Sequence, residues 1–235
     1  MSSTRPQHAP MDQFAVVDDC LQVGGMPLPQ LAARVGQTPF YAYERRLLDE
    51  RVARLRTTLP AGIELHYAVK ANPMPAVVQH LAGRVDGLDV ASLGELKVAL
   101  DSGMNPAEIS FAGPGKRPPE LAAALAAGIT VNLESAGELE SLARLGREQG
   151  RRPRVAVRVN PDFELKASGM KMAGGPKPFG VDAEQVPALL RRIGELGLDF
   201  QGFHIFTGAQ NLRAEAIVEA HDRIFELALR LASAA

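Results

Sequence analysis

From residue 63 onward, short apolar runs alternate with longer segments whose apolar residues recur every three or four positions. The short runs predict β-strands and the longer segments predict α-helices. Strands are expected at about 63–69, 85–90, 109–112, 129–133, 154–159 and 200–206, and helices at about 74–82, 93–102, 118–127, 135–149, 185–196 and 212–233. Strict alternation with right-handed crossovers predicts a parallel sheet with helices outside it.

Within these strands, polar and aliphatic side chains occupy opposite parities. Val155, Val157 and Val159 would face the helices, which leaves the alternate residues of that strand pointing inward. The inward side chains expected at the carboxyl ends of the strands are Lys70, Asp89, Asn132, Glu134, Arg158, His204 and Phe206. Inward polar residues at this position describe the active face of a (β/α)8 barrel, so we favour a barrel over an open doubly wound sheet.

The beginning of the chain follows a different pattern. Residues 1–13 are polar and predict a disordered leader, whereas 14–23 and 38–43 predict strands, and 29–35 and 44–59 predict helices. The alternating region supplies six of the eight strands that a closed barrel requires. We therefore expect a chain that is truncated at its C-terminus.

Composition and charge limit the kinds of molecule that this protein is expected to bind. The chain has 235 residues and a formal net charge of −1, which gives no electrostatic case for binding nucleic acid or an anionic membrane. No apolar run approaches the ~20 residues of a membrane helix. The single cysteine, Cys20, fits a reducing compartment, so a cytoplasmic protein is expected. No histidine pair or cysteine cluster has metal-ligand spacing, and no metal is expected.

Lys70 is the main candidate for chemistry. It ends an apolar strand and is followed closely by Asn72-Pro73, which stops the strand. Burial disfavours an ammonium and lowers its pKa, so such an amine can attack the aldehyde of a cofactor. A lysine that reaches from a strand end into solvent is an equally good interpretation from position alone.

Seven motifs then follow one another along the chain. They are Tyr67-Ala-Val-Lys70-Ala-Asn72, Asp89-Val-Ala-Ser92-Leu-Gly94-Glu95-Leu96, Phe111-Ala-Gly113-Pro-Gly-Lys116, Val131-Asn-Leu-Glu134-Ser135, Arg158-Val-Asn160-Pro161, Lys177-Pro-Phe179-Gly180 and Gly202-Phe-His204-Ile-Phe206-Thr-Gly208-Ala-Gln210. With them the chain resembles the fold-type III pyridoxal-phosphate decarboxylases, the diaminopimelate, ornithine and arginine decarboxylase group. The loop 162–177 most resembles the branch associated with exosortase gene clusters.

The resemblance implies an architecture and an assembly. It implies an alanine-racemase-like barrel over 44–235 that binds pyridoxal 5′-phosphate, preceded by strands within 14–43 that belong to a separate β-domain. It also implies a head-to-tail homodimer and a small amino-acid substrate of the diaminopimelate or ornithine kind.

The resemblance further implies the roles of single residues. Lys70 would hold pyridoxal phosphate as a Schiff base, from which an amino acid is decarboxylated. The implied cofactor-binding residues are Lys70, Asp89, Arg158, His204, Phe206 and Gly208. From the residues alone, other roles stay open: Asp89 at a helix entry, Arg158 as the partner of an interior carboxylate, and His204 and His66 as interior filling.

Two features depart from the family. Its usual His-(Ile/Val)-Gly-Ser is replaced by Phe206-Thr-Gly208-Ala209, in which the phenyl ring can stack but cannot form a hydrogen bond. Backbone N–H groups around Gly208 would have to hold phosphate in place of the lost hydroxyl. The family's glycine-rich phosphate loop and the carboxylate that pairs with the pyridine nitrogen are absent, so this chain alone is expected to be inactive or nearly so.

Two alternative functions remain open. An amino-acid racemase shares the barrel, although its lysine would be followed by an Ala-Tyr-Gly-His type run, whereas Asn72-Pro-Met-Pro75 follows here. A non-catalytic pyridoxal-phosphate-binding barrel is the other, and the two leading strands argue against it because they would have no role without a second domain.

Overall fold

The computed structural model describes residues 12–163, 170–171, 177–209 and 213–234. The chain divides into two units, Met1–Ile63 and Glu64–Ala235. None of the described helices is both long and apolar enough to cross a lipid bilayer. The predicted domain limits, a leader to residue 13 and a barrel from residue 44, stay predictions.

The first unit contains a small antiparallel sheet and two helices. Strands β1 (Val16–Val17), β2 (Cys20–Val23) and β3 (Met26–Pro27) pair in chain order, and helices α1 (Leu28–Val35) and α2 (Arg45–Thr58) follow. Gly36 ends α1 with φ of 81°, a left-handed conformation that glycine adopts without strain. Both predicted helices are confirmed.

The strand predictions in this unit need correction. The expected strand 14–23 is two strands, because Asp18 and Asp19 turn the chain with positive φ of 48° and 58°. The expected strand 38–43 is wrong, since these residues form no regular element. Pro39 has no N–H to donate, no described strand pairs with this segment, and Tyr41 is 90% exposed. Alternating aromatic residues do not make a strand without a neighbouring strand to pair with.

The second unit is built from helices, a parallel sheet and one short antiparallel pair of strands. Its strands are β4 (His66–Ala68), β5 (Gly87–Val90), β6 (Ile109–Phe111), β7 (Thr130–Leu133), β8 (Arg154–Asn160), β9 (Met170–Lys171), β10 (Val181–Asp182), β11 (Asp199–Ile205) and β12 (Gly208–Ala209). Its helices are α3 (Pro75–Ala82), α4 (Leu93–Asp101), α5 (Pro118–Ala127), α6 (Ala136–Gln149), α7 (Val186–Glu195) and α8 (Ala214–Ser233). All six predicted strand–helix pairs are confirmed.

Strand order identifies the architecture. The sheet runs β4-β5-β6-β7-β8, and both β10 and β11 are parallel to β8. The order never reverses, as it would at the switch point of a doubly wound sheet. The barrel prediction is therefore confirmed. The six predicted strands, which are β4 to β8 and β11, lie side by side in the order in which they occur along the chain. The short strands β9, β10 and β12 were not predicted, because two residues carry no periodicity.

The core lies between the sheet and its helices. Val155, Val157 and Val159 are at most 2% exposed, which confirms the parity predicted for β8. Leu139 and Leu142 of α6, which are three positions apart, are fully buried in the same hydrophobic cluster. Burial of an aliphatic side chain contributes roughly 1.5–3 kcal/mol, so this layer holds the carboxyl edge of the sheet in place.

Two of the loops at that edge share one capping device. Ser92 and Ser135 each accept a hydrogen bond from the backbone N–H three residues later, at 3.2 Å in both cases. The glutamates at those later positions, Glu95 and Glu138, accept from the backbone N–H just ahead of the cap. This reciprocal capping satisfies helix-start donors and fixes the turns that follow β5 and β7.

Candidate active site

A cavity of about 740 Å³ opens at the carboxyl ends of the strands of the second unit. Lys70, Asp89, His204 and Phe206 all line it, so four of the six predicted site residues share one cavity. Ile224, Phe225 and Ala228 of α8 supply an apolar wall. Arg158 and Gly208 are not among the described lining residues.

Lys70 lies just beyond the end of β4, in a single 3-10 turn over Val69–Ala71. Val69 beneath it is fully buried, and the Tyr67 hydroxyl donates to the Asn72 carbonyl at 3.1 Å, which anchors the turn. Of the two interpretations of Lys70 from its position, burial is wrong and a side chain that reaches towards solvent is right, because the residue is exposed. The strand ends at Ala68, so the turn raises the lysine side chain to the rim of the cavity.

Asp89 is bound from both neighbouring strands. Its Oδ1 accepts a hydrogen bond from Ser110 Oγ at 2.7 Å and lies 3.5 Å from His66 Nδ1. Burial raises the pKa of Asp89, but the contacts with His66 and Ser110 outweigh it and the pKa lies below its usual range. Asp89 does not have the alternative role of a residue at a helix entry, because Ser92 is the residue that caps α4. Asp89 therefore remains available to the cavity as a carboxylate, with 45% of its side chain exposed.

Ser110 and Asn132 are site residues that sequence reasoning missed as partners of Asp89. Asn132 Nδ2 donates to Ser110 Oγ at 3.2 Å, which extends the contact to a fourth strand. Both side chains line the cavity. The signal for Ser110 was its polar side chain in the middle of a three-residue strand between Ile109 and Phe111, which are 1% exposed.

His66 also lies on the cavity wall. Its interpretation as interior filling is wrong, because 30% of the side chain is exposed and the ring stands next to Asp89. Pairing with Asp89 raises the pKa of His66, although burial acts in the opposite direction.

His204 lies on β11 and lines the same cavity as Asp89. Burial lowers the pKa of His204, and the positive charge of Arg158 adds to the effect, so the imidazole is neutral near pH 7. Its Nδ1 is buried and has no hydrogen-bond partner among the described residues. A buried nitrogen without a hydrogen-bond partner is uncommon in folded proteins, and His204 lines the cavity.

Phe206 and Gly208 follow β11 along the chain. Phe206 is 37% exposed and presents its ring to the cavity. Gly208 has φ of 151° and pairs with Lys171 in a short antiparallel ladder. The role of Gly208 in holding phosphate stays a prediction.

Arg158 lies in a buried ion cluster, which we define as Glu134, Arg158, Lys116 and Glu138. Arg158 Nη1 is 3.0 Å from Glu134 Oε1, and its guanidinium lies 4.6 Å from the centre of the Phe179 ring. Glu134 also accepts from the backbone N–H groups of Gly113 at 2.6 Å and Gly180 at 2.9 Å. The alternative interpretation, a partner for an interior carboxylate, describes this geometry.

Lys116 and Glu138 form the second pair of the buried ion cluster. Their charged atoms are 2.9 Å apart and their side chains are 1% and 8% exposed. Burial raises the pKa of Glu138, and the charge of Lys116 offsets that effect only in part. Lys116 Nζ also donates to the Gly113 carbonyl, so the loop after β6 is held at both its N–H and its carbonyl.

Comparisons with known proteins agree with this arrangement. Residues 45–234 match the family described as "Pyridoxal-dependent decarboxylase, pyridoxal binding domain". The chain is 34% identical over 232 residues to a diaminopimelate decarboxylase of Zymomonas mobilis, covering 95% of this chain and 55% of that protein. It is 33% identical over 186 residues to the L-glutamyl-[BtrI acyl-carrier protein] decarboxylase of Niallia circulans, covering 78% of this chain and 44% of that protein.

A solved structure is similar over the same region. The diaminopimelate decarboxylase of Helicobacter pylori complexed with L-lysine gives a TM-score of 0.77 at 27% identity, covering 87% of this chain and 53% of that one. The chain thus spans about half the length of these relatives. The loop 162–177, on which the exosortase-associated branch was predicted, lies largely outside the described residues.

Proposed function

We propose a function from one premise: this chain belongs to the pyridoxal-dependent decarboxylase family and matches its pyridoxal-binding domain. The proposal is that the cavity binds pyridoxal 5′-phosphate through Lys70 and serves the decarboxylation of an amino acid. The observation that carries it is the meeting of a primary amine, a carboxylate, an imidazole and an aromatic face in one cavity.

The residues present fit the cofactor. Lys70 offers an accessible amine for the aldehyde, and Phe206 offers an apolar face on which a pyridine ring can stack. The unpartnered Nδ1 of His204 gives a polar group of the bound molecule a contact that the protein itself leaves open. Ala209 offers no hydroxyl for phosphate, so backbone donors would have to hold that group.

Each residue of the cavity then has a physical task. Lys70 holds the cofactor through Nζ, and ionised Asp89 favours positive charge on a nitrogen bound beside it. His204 stays neutral and adds no competing positive charge. When bound, pyridoxal phosphate supplies the sink for the electron pair that remains when carbon dioxide departs. The apolar wall of Ile224, Phe225 and Ala228 disfavours a carboxylate more than neutral carbon dioxide.

Covalent attachment of the cofactor is the first test. The chain is mixed with pyridoxal 5′-phosphate, scanned for a visible absorbance band, and reduced with borohydride before peptide mass spectrometry. We expect the band to disappear on reduction and the added mass to lie on the peptide that contains Lys70. Labelling of another lysine, or no band at all, contradicts the proposal.

The second test addresses the substrate class. The cofactor-loaded chain is titrated with diaminopimelate, ornithine, lysine, arginine and glutamate, while absorbance and released carbon dioxide are followed. We propose an amino acid of the diaminopimelate or ornithine kind, so these should change the visible band most. Because turnover by this chain alone is predicted to be low, the spectral change is the primary measurement. Inversion of the substrate without carbon dioxide release would favour a racemase instead.

Assembly and location complete the proposal. We propose the head-to-tail homodimer from the family resemblance, and light scattering during size-exclusion chromatography tests it directly. The cytoplasmic location stays a prediction, made from the lack of a membrane-length apolar run in the sequence, from its polar first residues and from Cys20.

A further inference from the structure

We infer that His66 is a positioning residue for Asp89, held in place by the gap that Gly87 leaves in the neighbouring strand. The inference rests on the proposed function only in giving Asp89 a task in the cofactor cavity. The pairing of His66 with Asp89 is a property of the cofactor-free protein and can be tested without pyridoxal phosphate.

Gly87 makes room for the imidazole. It lies directly opposite His66 in the β4–β5 ladder. A Cβ at residue 87 would lie 2.4 Å from His66 Cε1 and 2.6 Å from Nδ1, far inside van der Waals contact. The same Cβ would lie 2.5 Å from the Glu108 carbonyl oxygen. The φ of Gly87 is not in the left-handed region, so space rather than backbone conformation requires glycine here.

The imidazole in this gap faces two carboxylates. His66 Nδ1 is 3.5 Å from Asp89 Oδ1, and Nε2 is 3.7 Å from Glu64 Oε2. His204 is the other titratable side chain that acts on Asp89, from β11 across the cavity. When His66 is protonated, its positive charge lies beside the ionised Asp89 and offsets the cost of partial burial for both groups.

The contacts also restrict the orientation of Asp89. His66 from β4 and Ser110 from β6 both engage Oδ1, from opposite sides of the strand. This leaves Oδ2 as the oxygen for a group bound in the cavity. Without His66, only Ser110 would remain on Oδ1, and burial would raise the pKa of the carboxyl group.

The first experiment follows the imidazoles of the cofactor-free chain by NMR as a function of pH. The five histidines are assigned with single His→Gln variants. We expect Asp89→Asn to lower the titration midpoint of His66, and to lower it more than Glu64→Gln does. An unchanged midpoint in Asp89→Asn, or a larger effect of Glu64→Gln, overturns the inference.

The second experiment uses pyridoxal phosphate. Removal of His66 raises the pKa of Asp89, so the acid limb of the visible-band pH profile should move to higher pH in His66→Gln. His221→Gln, an exposed histidine on α8, is the matched control and should leave the profile in place. An acid limb that coincides in wild type and His66→Gln overturns the inference.

The two experiments separate the inference from the proposed function. If the wild-type chain shows no band, the proposed function fails while the NMR titration still decides the pairing. If His66→Gln does not fold, as judged by circular dichroism, the Asp89→Asn titration decides it alone.

Discussion

Two groups of polar and charged residues lie at the same edge of one sheet and differ in how much of their hydrogen-bonding capacity other residues use. The cavity row, which we define as His66, Asp89, Ser110 and Asn132, comes from β4 to β7 and lines the cavity. The buried ion cluster comes from the ends of β7 and β8 and the adjoining loop and helix. Its side chains are 1–10% exposed, whereas His66 and Asp89 keep 30% and 45% of theirs.

The difference lies in hydrogen-bonding capacity. Glu134 accepts from one guanidinium and two backbone N–H groups, so little capacity remains for a ligand. Among the described residues, Asp89 has contacts at Oδ1 alone, and the buried Nδ1 of His204 has no hydrogen-bond partner. A position at the carboxyl edge of the barrel therefore does not by itself leave a residue free to bind a ligand; that requires unused hydrogen-bonding capacity next to a cavity. The buried ion cluster holds loops in place, whereas the cavity row lines the open cavity. The cofactor-binding role of Arg158 stays a prediction.

Lys70→Ala should separate function from stability most completely. We expect total loss of covalent pyridoxal phosphate, because no other amine lines the cavity among the described residues. The free energy of unfolding should change by no more than about 0.5 kcal/mol, because the residue is exposed. Borohydride labelling and urea denaturation measure the two effects. Lys97→Ala, at an exposed lysine of α4, should change neither, and retained labelling in Lys70→Ala would refute the assignment.

Glu134→Ala should show the reverse pattern. It leaves Arg158 charged and buried without its partner, which costs about 3–5 kcal/mol of unfolding free energy. Urea denaturation measures this cost. Glu140→Ala, on the helix α6 that follows Glu134, is the matched control and should cost far less, since its ion pair with Arg192 is half exposed and screened by solvent. Equal losses in both variants would mean that the cluster does not stabilise the fold as argued.

Substitution of two phenylalanines tests the same comparison of the cavity row with the buried ion cluster, with smaller expected effects on cofactor affinity and stability. Phe206→Ala should weaken binding of pyridoxal phosphate roughly 2–10-fold, since an aromatic stacking contact contributes about 0.5–1.5 kcal/mol. Phe179→Ala removes the ring beneath Arg158 and should lower stability by about 1 kcal/mol while cofactor affinity is kept. Absorbance titration and denaturation measure the two quantities. If Phe206→Ala lowered stability and Phe179→Ala weakened cofactor binding instead, the division between the cavity row and the buried ion cluster would be contradicted.

The smallest expected effect is a pH dependence of the unfolding free energy, which should have opposite signs for Asp89 and Glu138. The pKa of folded Asp89 is depressed, so its contribution is present above its ordinary pKa and is lost as pH falls through the folded value. The pKa of folded Glu138 is raised, so its protonation favours the folded state as pH falls through that raised value. We expect the stability difference from wild type to shrink in acid for Asp89→Asn. For Glu138→Gln, wild type should gain relative to the variant as pH falls towards the ordinary glutamate pKa. Unfolding free energies measured between pH 3 and 7 check the two signs.

The spacing of apolar residues along the chain was enough to predict most of the helices and strands. Helix 118–127 was predicted to the residue, because Pro118 starts it and Gly128 ends it with φ of 76°. The strand predicted at 38–43 failed, since pairing depends on a neighbour that local pattern does not reveal. The burial expected for Lys70 failed for a related reason: the strand ends two residues before the lysine.

The sequence by itself determined the alternation of strands and helices, the inward parity of the strand residues, and the motifs that identify the family, because these depend on residues close together in the chain. Only the tertiary structure decided the partners. His66 meets Asp89 because β4 and β5 align Gly87 opposite the ring, and Arg158 meets Glu134 because β7 lies beside β8. Contacts across strands depend on register and on the space left by small residues, and both are properties of the folded sheet.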